Sequence, residues 1–265
     1  MAPPATLLSP DDPPPVERVA GAPGGDVLVV CDHAGRRVPR SLGDLGLAVT
    51  EFDRHIASDI GAADVARRLA ASLAAPLVLS RYSRLVADCN RRTDDPDFAP
   101  EIADGTIVAA NRGLDRTARE ARASALHAPY HAAIAAELDA MRARGAVPAV
   151  ISVHSCTPVF AGLARPWHIG VLWNRDQRIA RRLIAALVAR GDLVVGDNEP
   201  YDARDGHGYT MTAHCERAGL PHALLEIRQD LIDTREGASR WATILEGALR
   251  PILADPALRR IATAA

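Results

Sequence analysis

Two histidines each stand at the downstream end of a short apolar run, His33 after Asp26-Val-Leu-Val-Val-Cys31 and His154 after Pro148-Ala-Val-Ile-Ser-Val153. A third such run, Pro221-His-Ala-Leu-Leu225, delivers Glu226 and, two residues on, Arg228. If the runs are strands of one sheet, two imidazoles and a carboxylate meet at one edge, where open α/β sheets bind their ligands. Imidazoles and carboxylates converging from separate strands suit a catalytic zinc, with three protein ligands and a fourth position for water. A lone histidine at a strand end is ordinarily structural. Two at equivalent positions are harder to explain by packing, because each buried imidazole must find hydrogen-bond partners.

The third ligand is open between two aspartates of Asp53-Arg54-His55-Ile56-Ala57-Ser58-Asp59-Ile60-Gly61. Asp59 is equally placed to cap a helix, and Asp53 to pair with Arg54 or to orient a ligating histidine from behind. Gly35, two residues past His33, suits a tight turn where backbone or ligand comes close. His127 and His131 form a competing i, i+4 pair. Pro129 lies between them and the glutamate of an HExxH pattern is absent, so they read as core or backing groups, with His131 an alternative ligand.

Ser83-Arg-Leu-Val-Ala-Asp-Cys-Asn-Arg91 carries an apolar stretch into a polar, arginine-rich end. The planar fork of arginine grips a carboxylate at two points, and Asn90 beside Arg91 adds a donor. Taken alone, the segment reads as a solvated loop whose arginines pair with Asp94, Asp95 and Asp97. Beside a metal site, Arg84, Asn90 and Arg91 become candidates for substrate binding. Glu226 in an apolar strand must be paired, protonated or functional, since an isolated buried carboxylate is costly. Arg228 falls on the same strand face and could neutralise it or contact substrate.

Elements with matching periodicity must position these groups. A helix is predicted over Asp59 to Ala75, followed by a strand at Leu77 to Leu79. A longer helix runs from Asp115 to Arg144, with Leu126, Tyr130, Ile134, Leu138 and Met141 on one face and Gly145 as its stop. The His154 strand follows, then a strand at His168 to Trp173, a helix near Asp176 to Arg190, a short strand at Leu193 to Val195, the Glu226 strand and a closing helix near Arg235 to Arg250. This alternation predicts an α/β fold whose mostly parallel mixed sheet is covered by helices on both faces. Residues 1–24 are rich in proline and glycine and read as an irregular arm, with 25–265 as one domain.

The chain has 265 residues, 48% of them hydrophobic, which is ample for a packed core. A formal net charge of -2 argues against a nucleic-acid or membrane partner. All 31 basic residues are arginine, so Schiff-base and phosphate-loop lysines are excluded. Four widely spaced cysteines without a CxxC pair predict reduced thiols. No charged-then-apolar leader pattern is evident and no apolar run approaches the roughly 20 residues of a membrane helix, so a cytoplasmic location is expected. Oligomeric state is open.

The chain resembles the N-formylglutamate amidohydrolase family through CDHAG at 31–35, DRHIASDIGA at 53–62, SRLVADCNR at 83–91, VHS at 153–155, GDNEPY at 196–201 and LPHALLEIRQDLI at 220–232. The resemblance covers nearly everything after residue 25. It implies a zinc-dependent amidohydrolase with a fold similar to the zinc carboxypeptidases, or phosphorylase/hydrolase-like fold, whose order of histidine, asparagine-arginine pair, histidine and catalytic glutamate reads here His33, Asn90-Arg91, His154, Glu226. The glutamate three residues after the first histidine is missing, which leaves the carboxylate ligand between Asp59 and Asp53. Tyr209 or Tyr201 occupies the stretch of a substrate-approaching tyrosine. The implied chemistry has one zinc ion acidify a water, Glu226 move its proton, and Arg84 help stabilise the oxyanion. The implied substrate is N-formyl-L-glutamate or a related N-acyl acidic amino acid. Alternatives are a zinc carboxypeptidase or another deacylase, a non-catalytic metal or amino-acid binding module, and a thiol hydrolase using Cys156 beside His154.

Overall fold

A computed structural model of the chain describes residues 7–262. In chain order its elements are strands β1 (Val16–Val19) and β2 (Val27–Cys31), helix α1 (Ala62–Ser72), strand β3 (Leu77–Ser80), the hairpin β4 (Ile102–Ala103) and β5 (Thr106–Ile107), and helices α2 (Arg116–Arg122) and α3 (Ala128–Ala143). Strand β6 (Ala149–Cys156), a second hairpin of β7 (Val159–Phe160) and β8 (Leu163–Ala164), and strand β9 (Ile169–Leu172) follow. Helix α4 (Ala180–Val188), strand β10 (Val195–Asp197), helix α5 (Tyr209–His214), strand β11 (His222–Arg228) and helix α6 (Arg235–Leu253) complete it.

Among the described residues seven strands form one sheet in the order β1-β3-β2-β6-β11-β9-β10. The central four, β3, β2, β6 and β11, are mutually parallel. Strand β1 is antiparallel at one edge, and β9 with β10 runs reversed at the other. This is the predicted mostly parallel α/β sheet. Side chains alternate across it with period two. Val29, Leu79, Ile151 and Leu225 face α1, α4 and α6, where Trp241, Leu245 and Leu249 are buried. Leu28, Val30, Val78, Val150 and Leu224 face α3 and α5, against Tyr130, Ile134 and Met211. Ser152, His154 and Glu226 fall on this second face, and their strands' downstream ends open toward the loops.

A third apolar cluster lies under the loops that follow β2 and β3. Leu45, Ile56, Ala57, Leu85, Val86, Phe98 and Leu126 are its core. Burial of a side chain such as Phe98 or Leu85 stabilises by about 1.5–3 kcal/mol, enough to hold irregular backbone in one arrangement. Gly35 fulfils its expected role here, since a Cβ on it would lie 2.1 Å from the carbonyl oxygen of Arg81.

Three local expectations are revised. Part of the 1–24 arm is ordered, since Val16–Val19 pairs with β3 as an edge strand; residues 1–6 lie outside the described residues. The helix expected from Asp59 begins at Ala62 with Gly61 as its cap, so the Asp59 carboxylate does not cap it. The long helix over 115–144 is interrupted by a π turn at Ala123–His127. Pro129 has no N–H to close an ordinary i→i−4 bond, and a widened turn before it accommodates the loss. The predicted face of Tyr130, Ile134, Leu138 and Met141 is buried regardless.

Candidate metal and substrate site

His33 lies two residues past the end of β2, and its carbonyl accepts a hydrogen bond from Asp59 N at 3.0 Å, which ties the first two candidate-ligand segments together. His154 is the sixth residue of β6. Its neighbour Ser155 donates Oγ–H to Ile60 O at 2.8 Å, binding the third segment to the second. His33, Asp59 and His154 are all buried and bring ligand atoms within 4.8 Å of one another. His154 Nδ1 lies 2.8 Å, and His33 Nδ1 3.3 Å, from the same oxygen, Asp59 Oδ2.

The outward nitrogens are held as firmly. His33 Nε2 donates to Asp88 Oδ1 at 2.7 Å and His154 Nε2 donates to Asp32 Oδ2 at 2.8 Å. A carboxylate on the far nitrogen fixes the tautomer, turns the Nδ1 lone pair inward and raises ligand basicity, an arrangement common to metal-binding histidines. Burial disfavours the charged forms of all these groups, but mutual pairing outweighs it. The two histidines hold Asp59 well below the ordinary carboxylate range, and Asp32 and Asp59 lift His154 well above the ordinary imidazole range. Asp32 is lowered to about 2 by His154 and His33 against its burial. The donor set fits a divalent ion by its two inward nitrogens, one shared carboxylate oxygen and backing acids.

Glu226 faces His154 in register across β6 and β11. It is buried, its Oε2 has no hydrogen-bond partner among the described residues, and burial pushes its pKa up to about 7. On its other side in the sheet stands Gly170 of β9. A Cβ there would lie 1.6 Å from Glu199 O, so the missing side chain lets the Asn198–Tyr201 segment settle on the sheet and carry Tyr201 to the site. Tyr201, His33, Asp59, Arg84, Asn90, Arg91, His154 and Glu226 line one cavity of about 320 Å³. A larger groove of about 860 Å³ near α4 and α6 has none of these residues in its wall.

Arg84 is committed within the wall, to Asp88 Oδ2 at 2.9 Å and to Asp59 Oδ1 at 3.4 Å. Arg91 makes only a loose pair with Asp95 at 3.8 Å. The turn bearing Asn90 and Arg91 is braced from behind by α3 and α5. His131 Nε2 donates to Cys89 O at 2.9 Å, His127 Nε2 donates to Arg91 O at 3.0 Å, and Thr210 N donates to Asn90 Oδ1 at 3.0 Å. His214 Nε2 in turn lies 2.8 Å from His131 Nδ1. Leaving a buried carbonyl without its donor costs about 1–3 kcal/mol. If Asn90 and Arg91 hold a substrate, His131→Ala is therefore expected to raise KM by roughly tenfold, with kcat near wild type. An equal fall in kcat would show that the brace reaches the reacting groups.

Four sequence candidates lie elsewhere. Asp53 is exposed and pairs with Arg36 on the surface, so of the two candidate aspartates only Asp59 joins the histidines. His131 contacts the turn before Asn90 and Arg91 and not His33 or His154. Arg228 turns to Asp230 at 2.8 Å and to Arg165 O at 3.2 Å, leaving Glu226 unneutralised. Tyr209 packs on His127 and His131 behind the turn, and Tyr201 has the place in the cavity wall. Conversely, Asp32 and Asp88 were not foreseen. Asp32 adjoins His33, and Asp88 lies within the same run as Arg84 and Asn90, which was the available signal. The four cysteines are free and buried. Burial raises the Cys156 thiol to about 12, which keeps it from being a thiolate nucleophile at neutral pH.

No helix of the described residues is long and apolar enough to cross a membrane. No match was found among curated proteins. Among solved structures, gene product Atu2144 of Agrobacterium tumefaciens is 35% identical with a TM-score of 0.90, over 93% of this chain and 98% of that one. The N-formylglutamate amidohydrolase of Ralstonia eutropha, 19% identical with a TM-score of 0.63 over 90% of this chain and 97% of that one, shares the fold. The sequence profile of the N-formylglutamate amidohydrolases matches residues 25–233, which include every residue of the cavity, and the chain belongs to that family.

Proposed function

We propose that the protein is a metal-dependent amidohydrolase that cleaves an N-acyl acidic amino acid, N-formyl-L-glutamate foremost, to a carboxylic acid and the free amino acid. The observation that carries this reading is the convergence of His33 Nδ1, His154 Nδ1 and Asp59 beside the partnerless carboxyl of Glu226. His33, Asp59 and His154 would hold one divalent ion, zinc by preference of the nitrogen donors. When bound, such an ion supplies a Lewis acid that polarises an amide carbonyl and brings the pKa of a water toward about 7.

The remaining work falls to the chain. Glu226 takes a proton from the attacking water as its oxygen bonds to the acyl carbon, then gives that proton to the nitrogen as the C–N bond breaks. A carboxyl whose pKa lies near neutrality serves both steps. Arg84, kept charged by Asp88 and Asp59, places positive potential on the oxyanion. Arg91, with Asn90 beside it, receives the α-carboxylate of the amino acid.

Amine release from N-formyl-L-glutamate and a panel of N-acyl amino acids, measured on chelated protein before and after zinc is restored, tests the proposal. Chelation is expected to abolish turnover and zinc to restore it, while thiol alkylation leaves it intact. Stoichiometric zinc binding without turnover of any substrate would replace this reading with a peptide-directed or purely binding role.

A further inference from the structure

Arg165 follows β8 and is 8% exposed. Several other buried or half-buried arginines have an acid beside them: Arg84 has Asp88, Arg178 has Asp176, Arg228 has Asp230 and Arg259 has Asp26. Arg122 lacks one but is satisfied by Val86 O, Asn111 Oδ1 and Ala110 O. Arg165 has no acid within ion-pair distance among the described residues. Its Nη1 reaches Thr157 Oγ1 at 3.3 Å and Thr157 O at 3.5 Å, its Nη2 donates to the Tyr201 hydroxyl at 3.1 Å, and its Nε makes no hydrogen bond.

The guanidinium lies over the Phe160 ring at 4.8 Å and the Tyr201 ring at 4.9 Å. Stacking covers the faces of a guanidinium and leaves its edge, where the N–H groups project, for an anion. Both rings line the cavity that contains Asp59, His154 and Glu226. The backbone is fixed too, since Arg165 N donates to Pro158 O at 2.8 Å and Arg165 O accepts from Arg228 Nη1 at 3.2 Å. A buried cation without a counter-charge is unfavourable until an anion arrives.

We infer that Arg165, with the Tyr201 hydroxyl, receives the side-chain carboxylate of the substrate. The assignment rests on the proposed hydrolysis and deepens it. Arg84 is occupied by two aspartates and faces the oxyanion, so the cations left to the carboxylates of a substrate are Arg91 and Arg165. Arg91 takes the α-carboxylate that every N-acyl amino acid has, and Arg165 selects the acidic ones.

The test compares N-formyl-L-glutamate with N-formyl-L-glutamine, its neutral isostere, on the zinc-loaded protein. Arg165→Met is expected to lower the preference in kcat/KM for glutamate over glutamine by about 100-fold, whereas Arg91→Met lowers both substrates together. Equal losses on both substrates in the Arg165 variant, or a preference that does not move, overturn the assignment. Arg165→Lys, which keeps the charge and loses the fork, is expected to retain an intermediate preference and serves if the methionine variant does not fold. Should the wild type turn over no N-acyl amino acid, the parent reading fails while this one stays testable. Calorimetry with L-glutamate and L-norvaline would then show a glutamate preference that Arg165→Met removes, or, by its absence, refute the receptor.

Discussion

Replacing Glu226 by glutamine is expected to lower turnover of N-formyl-L-glutamate by roughly 10²–10⁴-fold, the range for loss of a positioned proton-transfer group. Glutamine preserves length and shape but cannot take up a proton at neutral pH. Among the described residues Oε2 of the wild-type carboxyl has no hydrogen-bond partner that the change would strand. Burial is the largest influence on its pKa and raises it to about 7 against the opposing pull of His154, His33 and Arg84, with Asp59 adding to the rise, so a neutral side chain is already tolerated at this position. Zinc content and melting temperature should therefore match wild type, and the loss should fall on kcat more than on KM. Glu226→Asp, which withdraws the carboxyl by one methylene, should recover part of the rate. Wild-type turnover in the glutamine variant would remove Glu226 from the mechanism.

How far the fold was legible follows from the strength of each pattern. Strands β2, β6 and β11 are buried on both faces and read as largely apolar runs, the signature of a central parallel strand. Their order could not be read, because pairing depends on crossover helices and not on anything within a strand. Edge strand β1, two adjacent charges flanked by valines in a proline-rich stretch, is indistinguishable in sequence from an extended arm, and only β3 beside it makes it a strand. Strand β10 was expected two residues early because Leu193-Val194 is the more apolar pair, yet the ladder to β9 starts at Val195.

Within the site, residues carried on strands were easier to read than residues carried on loops. His33, His154 and Glu226 could be placed at one edge because strand periodicity dictates it. Asp59 and Asp53 sit in the same irregular segment, and what separates them is the burial of Ile56 and Ala57 in the loop cluster, which turns one aspartate inward and leaves the other with Arg36 on the surface. Arg165 carried no signal at all. A short hairpin places it, and its importance lies in a partner it lacks, which no spacing reveals.

The largest effect on metal binding is expected at Asp59, where the two readings of the sequence separate. Both inward imidazole nitrogens address Asp59 Oδ2, so Asp59→Ala removes the donor that the other two share and leaves two neutral ligands. Outer partners of metal-binding histidines change affinity by about 10–100-fold when lost. A direct ligand should cost more, on the order of 1,000-fold, since a carboxylate contributes both a donor and charge neutralisation. Competition with a chromogenic zinc chelator measures this without any assay of turnover. Asp32→Asn, which leaves the three direct ligands in place and weakens the hydrogen bond that orients His154, should fall in the 10–100-fold range. Asp53→Ala should bind zinc as wild type does, because its carboxylate is at the surface with Arg36. Wild-type affinity in the Asp59 variant together with loss in the Asp53 variant would reverse the ligand assignment and require the 53–62 segment to refold around the metal. Loss in neither would mean that the two histidines bind the ion without an aspartate, and the chemistry would have to be rebuilt on a site with two open positions.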